Sequence, residues 1–214
     1  YVKERETFMR VISGSARGTI LHSIERISTR PTLDRVKESL FNIIQNDIED
    51  TTVLDLFAGS GAIGIEFLSR GAKKAYLCDK SQEAIKMINK NLEKTRLTKL
   101  ATVMNKDYKK CLEELKKINE KIDIAFIDPP YEADLAVDAV KKLIDLNLLN
   151  EQSSIIIETD QEQREKEKTI TGRKSKIVCE RLPQTITIAD DGNTGDYLYD
   201  YLLLYANLWI DHCV

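Results

Sequence analysis

Between residues 52 and 159 the chain alternates short apolar runs with stretches whose apolar residues recur at helical spacing. The runs Thr52–Phe57, Lys74–Asp79, Ala101–Asn105, Ile122–Asp128 and Ser153–Thr159 read as strands. Between them Ala62–Arg70, Ser81–Thr95, Tyr108–Ile118 and Asp134–Leu146 read as helices. In the second of these Ser81 suits an N-cap, and Ala84, Ile85, Ile88 and Leu92 form one apolar stripe. Strand–helix alternation with short connections predicts a mostly parallel sheet with helices on both faces, a doubly wound α/β domain. Its ligand site is expected beyond the carboxyl ends of the strands.

The flanks differ. Arg10–Ile12 and Thr19–Leu21 read as a small hairpin around Gly14 and Gly18, and Thr32–Asn46 as a helix behind Pro31, with Val36, Leu40, Phe41 and Ile44 on one side. Residues 1–50 are therefore taken as an N-terminal extension, 51–189 as the principal domain and 190–214 as a tail without an assigned role. Lys176–Arg181 and Thr185–Ala189 read as two closing strands, the charge run Gln161–Lys168 as a solvated loop or helix end, and Tyr197–Ile210 as a terminal helix or strand.

Two motifs carry chemistry. The stretch Leu54-Asp55-Leu56-Phe57-Ala58-Gly59-Ser60-Gly61-Ala62-Ile63-Gly64 contains G-x-G-x-x-G between a strand and a helix. Such glycines let the backbone turn tightly and approach a ligand at a helix N-terminus. Phe57, Gly59, Ser60 and Gly61 are cofactor-binding candidates on that basis. Asp79 ends the next strand 24 residues after Asp55, where a carboxylate can accept both hydroxyls of a ribose, with Lys80 beside it. Asp55 discriminates among nucleotides: a carboxylate there repels a pyrophosphate but suits a ligand bearing an ammonium and a sulfonium, as S-adenosylmethionine does. Asp107 can accept from an adenine amino group or cap the following helix.

The second motif, Asp128-Pro129-Pro130-Tyr131, follows the apolar run Ile124–Ile127. Two prolines stiffen the loop and remove N–H donors, leaving carbonyls to accept. The Asp128 carboxylate and the Pro129 carbonyl can take the two hydrogens of a planar amino group, while Tyr131 stacks on its ring. These bonds aim the nitrogen lone pair at a methyl donor, so catalysis there is positioning and electrostatics.

Composition narrows the partner. The chain has 32 Lys and Arg against 35 Asp and Glu, a net charge of −3. Residues 1–40 carry eight Lys or Arg against five acids, a local +3 that leaves −6 on the remainder. Arg10, Arg17, Arg30 and Arg35 thus place a basic excess on one surface suited to phosphates, and the family resemblance given next makes them RNA-binding candidates. Four separated cysteines, with no C-x-x-C pair, and two histidines argue against a disulfide framework or a metal site. No apolar run approaches the roughly 20 residues of a membrane span, and a cytoplasmic location is expected.

The motifs in this order resemble the Rossmann-type amino methyltransferases. Met9-Arg10-Val11-Ile12-Ser13-Gly14 with Arg17-Gly18, then Thr29-Arg30-Pro31-Thr32-Leu33-Asp34-Arg35-Val36-Lys37-Glu38-Ser39-Leu40-Phe41-Asn42, then the glycine turn running on to Ser69-Arg70-Gly71-Ala72, resemble the bacterial 16S rRNA guanine-N2 methyltransferases of the RsmD type over residues 9–188. The resemblance implies a seven-stranded Rossmann-like methyltransferase sheet, S-adenosylmethionine as donor, and a guanine of 16S rRNA within the 30S subunit or a precursor. It implies that Thr29–Phe41, Thr32 included, borders the cofactor and that Asp128–Tyr131 holds the base. It departs at Arg181-Leu182-Pro183-Gln184-Thr185, where the family usually has an aromatic-glycine pair, and residues 1–8 precede its usual start. A monomer is expected. The rival readings are methylation of DNA adenine N6 or cytosine N4, of a protein glutamine amide, a non-catalytic RNA-binding factor, or a dinucleotide oxidoreductase. DNA is disfavoured because 214 residues leave no room for a separate recognition domain of about 100 residues.

Overall fold

The computed structural model describes residues 9–23, 31–129, 133–160, 175–181 and 185–189. In chain order they form α1 (Pro31–Ile44), β1 (Thr52–Asp55), α2 (Ala62–Ser69), β2 (Lys74–Asp79), α3 (Gln82–Thr95), β3 (Ala101–Asn105), α4 (Tyr108–Lys117), β4 (Ile122–Ile127), α5 (Ala133–Asp145), β5 (Leu149–Asp160), β6 (Ser175–Arg181) and β7 (Thr185–Ala189). The seven strands make one sheet in the order β3-β2-β1-β4-β5-β6-β7. The first five are parallel, whereas β6 and β7 close the sheet antiparallel. The doubly wound α/β reading and the seven-stranded sheet both hold.

β1 lies between β2 and β4, with Asp55 beside Leu77 on one side and Phe126 on the other. The chain therefore reverses its winding at β1, and the crevice between the ends of β1 and β4 is the switch point where such folds bind ligands. Two cores flank the sheet. One gathers Leu40, Phe41, Val53, Ile65, Phe67, Leu77, Ile88 and Leu92 beneath α1, α2 and α3. The other gathers Leu54, Tyr76, Leu112, Leu115, Ala125, Ala139 and Leu143 beneath α4 and α5. Alternate residues of β1 thus serve opposite cores, as strands buried on both faces require. Val11, Ala16 and Leu21 join the first core, so packing is continuous from the N-terminal arm into the sheet.

Several boundaries move for identifiable reasons. β1 ends at Asp55, two residues before the run expected from apolarity, because the chain turns away there into the glycine turn. β5 begins at Leu149, before the expected Ser153. After Leu149 its residues are polar up to Ile155, yet the strand start is fixed: Lys121 Nζ donates to the Asn147 and Leu149 carbonyls, and Ser153 Oγ donates to the Ile122 carbonyl. The N-terminal hairpin contains one bridge, Arg10 with Ile20, rather than two paired strands. Beyond it the chain turns to α2, where the N–H groups of Ile12 and Ser13 donate to Glu66. Gln161–Lys168 and the tail from 190 onward, Tyr197–Ile210 included, lie outside the described residues.

Candidate active site

The turn after β1 is built from backbone geometry that glycine supplies. Gly59 and Gly61 have φ of 54° and 77°, in the left-handed region where a side chain is strained. At Gly64 the constraint is packing: a Cβ would lie 2.0 Å from Leu77 Cδ2 of β2. Helix α2 can approach the sheet, and aim its N-terminus at the crevice, only with no side chain at that position. The Ala58 N–H donates to the Cys78 carbonyl at 2.9 Å and the Leu56 N–H to the Phe126 carbonyl at 3.0 Å, which fastens the turn to both neighbouring strands.

Asp55 is only 1% exposed, and its Oδ2 accepts the Gly64 N–H at 3.0 Å. The carboxylate therefore caps the first turn of α2 from the strand end. Burial pushes its pKa up to about 7, opposed by the Gly64 bond and assisted by the negative charge of Asp79. A buried carboxyl poised this way gains from a cation brought next to it, because the cation stabilises the ionised form.

Asp79 uses both oxygens on backbone: Oδ2 accepts from Gly59 N–H at 2.9 Å and Oδ1 from Ser81 N–H at 2.8 Å. Each oxygen keeps acceptor capacity for a second donor, so a sugar diol remains compatible. Lys80 is exposed beside it, and the Asn105 side-chain amide of β3 donates to the carbonyls of Asp79 and Lys80. Asp107 is the N-cap of α4, its Oδ1 accepting from Lys109 N–H at 3.0 Å. The capping role weighed for it is the one seen. A cavity of about 560 Å³ lies against Lys80, Asn105, Asp107 and the adjoining side of α4.

Asp128 and Pro129 follow β4 directly, exposed and half-buried respectively. Since Asp55 pairs with Phe126, Asp128 stands two residues beyond the level of Asp55 on the adjacent strand. The glycine turn and the Asp128-Pro129 pair thus share one end of the sheet. Pro130, Tyr131 and Arg30 lie outside the described residues. Thr32 and Arg35 are in the first turns of α1, described in backbone only.

A family described as conserved hypothetical protein 95 matches residues 9–181. The chain belongs to that family. It is 42% identical over 155 residues to YlbH of Bacillus subtilis, provisionally named an rRNA methyltransferase, covering 72% of this chain and 84% of that one. The ribosomal RNA small subunit methyltransferase D of Haemophilus influenzae is 35% identical over 158 residues, 72% of this chain and 80% of its own. Among solved structures, the Escherichia coli protein YhhF, provisionally titled a methyltransferase, superposes with a TM-score of 0.67 at 28% identity, covering 83% of this chain and all of that one.

The N-terminal arm, Met9–Ser23, falls inside the stretch shared with the conserved hypothetical protein 95 family, and its attachment was not foreseen. Arg10 and Arg17 are exposed on it. Beneath them Glu66, fully buried on α2, accepts from Ile12 N–H at 2.8 Å and Ser13 N–H at 3.0 Å. It also pairs with Arg70 Nε at 2.8 Å and Lys37 Nζ of α1 at 3.2 Å. Ser69 Oγ accepts from Ala16 N–H and donates to the Ser13 carbonyl. Asn91 of α3, also fully buried, donates to the carbonyls of Ser60 and His22 and accepts the His22 N–H. In sequence the only trace of these roles is a polar residue on an otherwise apolar helix face. Tyr108 was missed too: it packs against Phe57 with ring centroids 5.5 Å apart and donates to Asp138 at 2.6 Å. Phe57 is therefore part of an aromatic wall beside the turn.

The residues present fit S-adenosylmethionine. A buried carboxyl at the end of β1 suits its cationic end, a carboxylate at the end of β2 suits the ribose, and the open glycine turn admits a ligand between them. Among the described residues no helix is long and apolar enough to cross a membrane.

Proposed function

We propose that the protein methylates the exocyclic N2 amino group of a guanine in 16S rRNA, presented in the 30S subunit or an assembly intermediate, with S-adenosylmethionine as donor. It acts in the cytoplasm as a monomer. What supports the reading is the juxtaposition, across neighbouring strands β1 and β4, of the glycine turn with Asp128-Pro129. The Haemophilus influenzae relative methylates ribosomal RNA of the small subunit, by its name, which fits a base as the acceptor.

S-adenosylmethionine, when bound, supplies a methyl group made electrophilic by its sulfonium. Asp55 and the glycine turn bind it, Asp79 orients the ribose, and Lys80, Asp107 and Thr32 border it. Asp128 and the Pro129 carbonyl each accept one hydrogen of the guanine amine and so hold the nitrogen lone pair out of the ring plane. Tyr131 is assigned the aromatic face and Pro130 the stiffness of the loop on the sequence pattern alone. The proton lost by the methylated nitrogen passes to Asp128 or to water. Arg10, Arg17, Arg30 and Arg35 contact phosphates, which makes binding fall steeply with salt.

The test is transfer of labelled methyl to unmodified 30S particles, naked 16S rRNA and duplex DNA in parallel, followed by nucleoside analysis. N2-methylguanosine from 30S or rRNA is expected. Label in DNA, or none in any nucleic acid, would overturn the assignment.

A further inference from the structure

Asn91 sits where two parts of the molecule meet. Its side chain makes three hydrogen bonds with full burial: Nδ2 to the Ser60 carbonyl at 2.9 Å, Nδ2 to the His22 carbonyl at 3.0 Å, and Oδ1 from the His22 N–H at 2.8 Å. Ser60 is the middle residue of the glycine turn. His22 belongs to the arm that carries Arg10 and Arg17, some 69 residues earlier in the chain. One amide thus holds the backbone of the turn and the backbone of the arm in a single network. A second link runs the same way, since Ser60 Oγ donates to Met9 Sδ at 3.4 Å. Neither Ser60 nor His22 can shift without leaving a buried polar group of Asn91 unpaired, which is costly.

We propose that Asn91 is a positioning residue that couples the cofactor turn to the RNA-facing arm, so that nucleic acid and cofactor each tighten the binding of the other. This rests on the reading that the turn takes S-adenosylmethionine and the arm takes rRNA. A ligand that fixes the arm fixes His22, through Asn91 the Ser60 carbonyl, and hence the turn. By linkage the effect is reciprocal, and the factor is the same from either side.

The experiment measures equilibrium binding of S-adenosylhomocysteine by the full chain, alone and with saturating unmethylated 16S rRNA. Three proteins are compared. Asn91→Asp keeps the acceptor for His22 N–H but replaces both donors with an oxygen. Leu143→Ala removes a buried side chain on α5, away from the arm and the turn, and controls for general loss of stability. In the parent protein RNA should tighten S-adenosylhomocysteine binding by about fivefold or more, the lower end of usual couplings. The ratio should collapse to within twofold of unity in Asn91→Asp and persist in Leu143→Ala. A parent ratio of one with both ligands bound, or an unchanged ratio in Asn91→Asp, overturns the coupling alone. Failure of the parent to bind S-adenosylhomocysteine, or to bind RNA, overturns the functional reading and the coupling with it.

Discussion

Asp55 offers a quantitative handle on the site. Its carboxyl is buried and its pKa is pushed up to about 7 from 3.8, chiefly by desolvation. Between those two values the folded protein binds a proton that the unfolded chain does not, so stability falls as pH rises through the window. Raising the value from 3.8 to about 7 corresponds to about 4 kcal/mol at its limit. Over the accessible range from pH 5 to pH 8 the loss works out at about 3 kcal/mol. Asn at position 55 can still accept the Gly64 N–H but cannot ionise. Urea unfolding of the ligand-free parent and of Asp55→Asn across that range should therefore diverge: the variant gains on the parent by about 3 kcal/mol as pH rises, while all other groups titrate equally in both. Two curves that stay parallel from pH 5 to pH 8 would refute the claim that Asp55 ionises at a cost inside the fold.

The same group predicts that S-adenosylhomocysteine, through its ammonium, binds the parent more tightly as pH rises toward 8, and that Asp55→Asn flattens the dependence in a calorimetric titration. Asp128→Ala should retain cofactor binding and lose methyl transfer by about a hundredfold to a thousandfold, the cost of deleting one preorganised partner of a reacting group. Gly64→Ala forces a Cβ into Leu77, and chemical denaturation should show a loss of about 1–3 kcal/mol. Glu66→Ala takes the buried carboxylate away from Lys37, Arg70 and the arm; about 3–5 kcal/mol of stability should go, with faster hydrogen exchange at Ile12 and Ser13.

The parts of the fold legible in the sequence were those governed by local pattern. β2 and β3 end where the apolar runs end, and Ser81 caps α3 by accepting from Ala84 N–H as its position predicted. The start of β5 was hidden because the residues between Leu149 and Ile155 are polar and owe their place in part to Lys121 and Ser153, with only Leu149 packed against the core. The glycine turn announced itself because its constraints lie in backbone dihedrals and one close contact with Leu77. Glu66 and Asn91 stayed illegible for the opposite reason. Their partners on the arm lie 53 to 69 residues away, and although Arg70 stands one turn from Glu66, nothing in the local pattern signals that the arm's backbone N–H groups come to this carboxylate and this amide. Asp55 stood out as a strand-end carboxylate and Asp107 as a cap for the following helix, while the backbone N–H groups they accept became visible only once α2 and α4 were in place.

The arm's attachment bears on the order of assembly. His22 is made 69 residues before the Asn91 that holds it. At ordinary translation speeds of about 5–20 residues per second, that gap is roughly 3 to 14 seconds. Ile12 and Ser13 have no carboxylate to meet until Glu66 is made, and the core that Val11 and Leu21 enter is not complete until Ile85, Ile88 and Leu92 of α3 join it. The arm is thus a latch set by a finished body, not a nucleus from which the body grows. Contacts closed across so long a loop form late in folding. Loosening them should quicken release of the arm while leaving the rate at which the sheet forms unchanged.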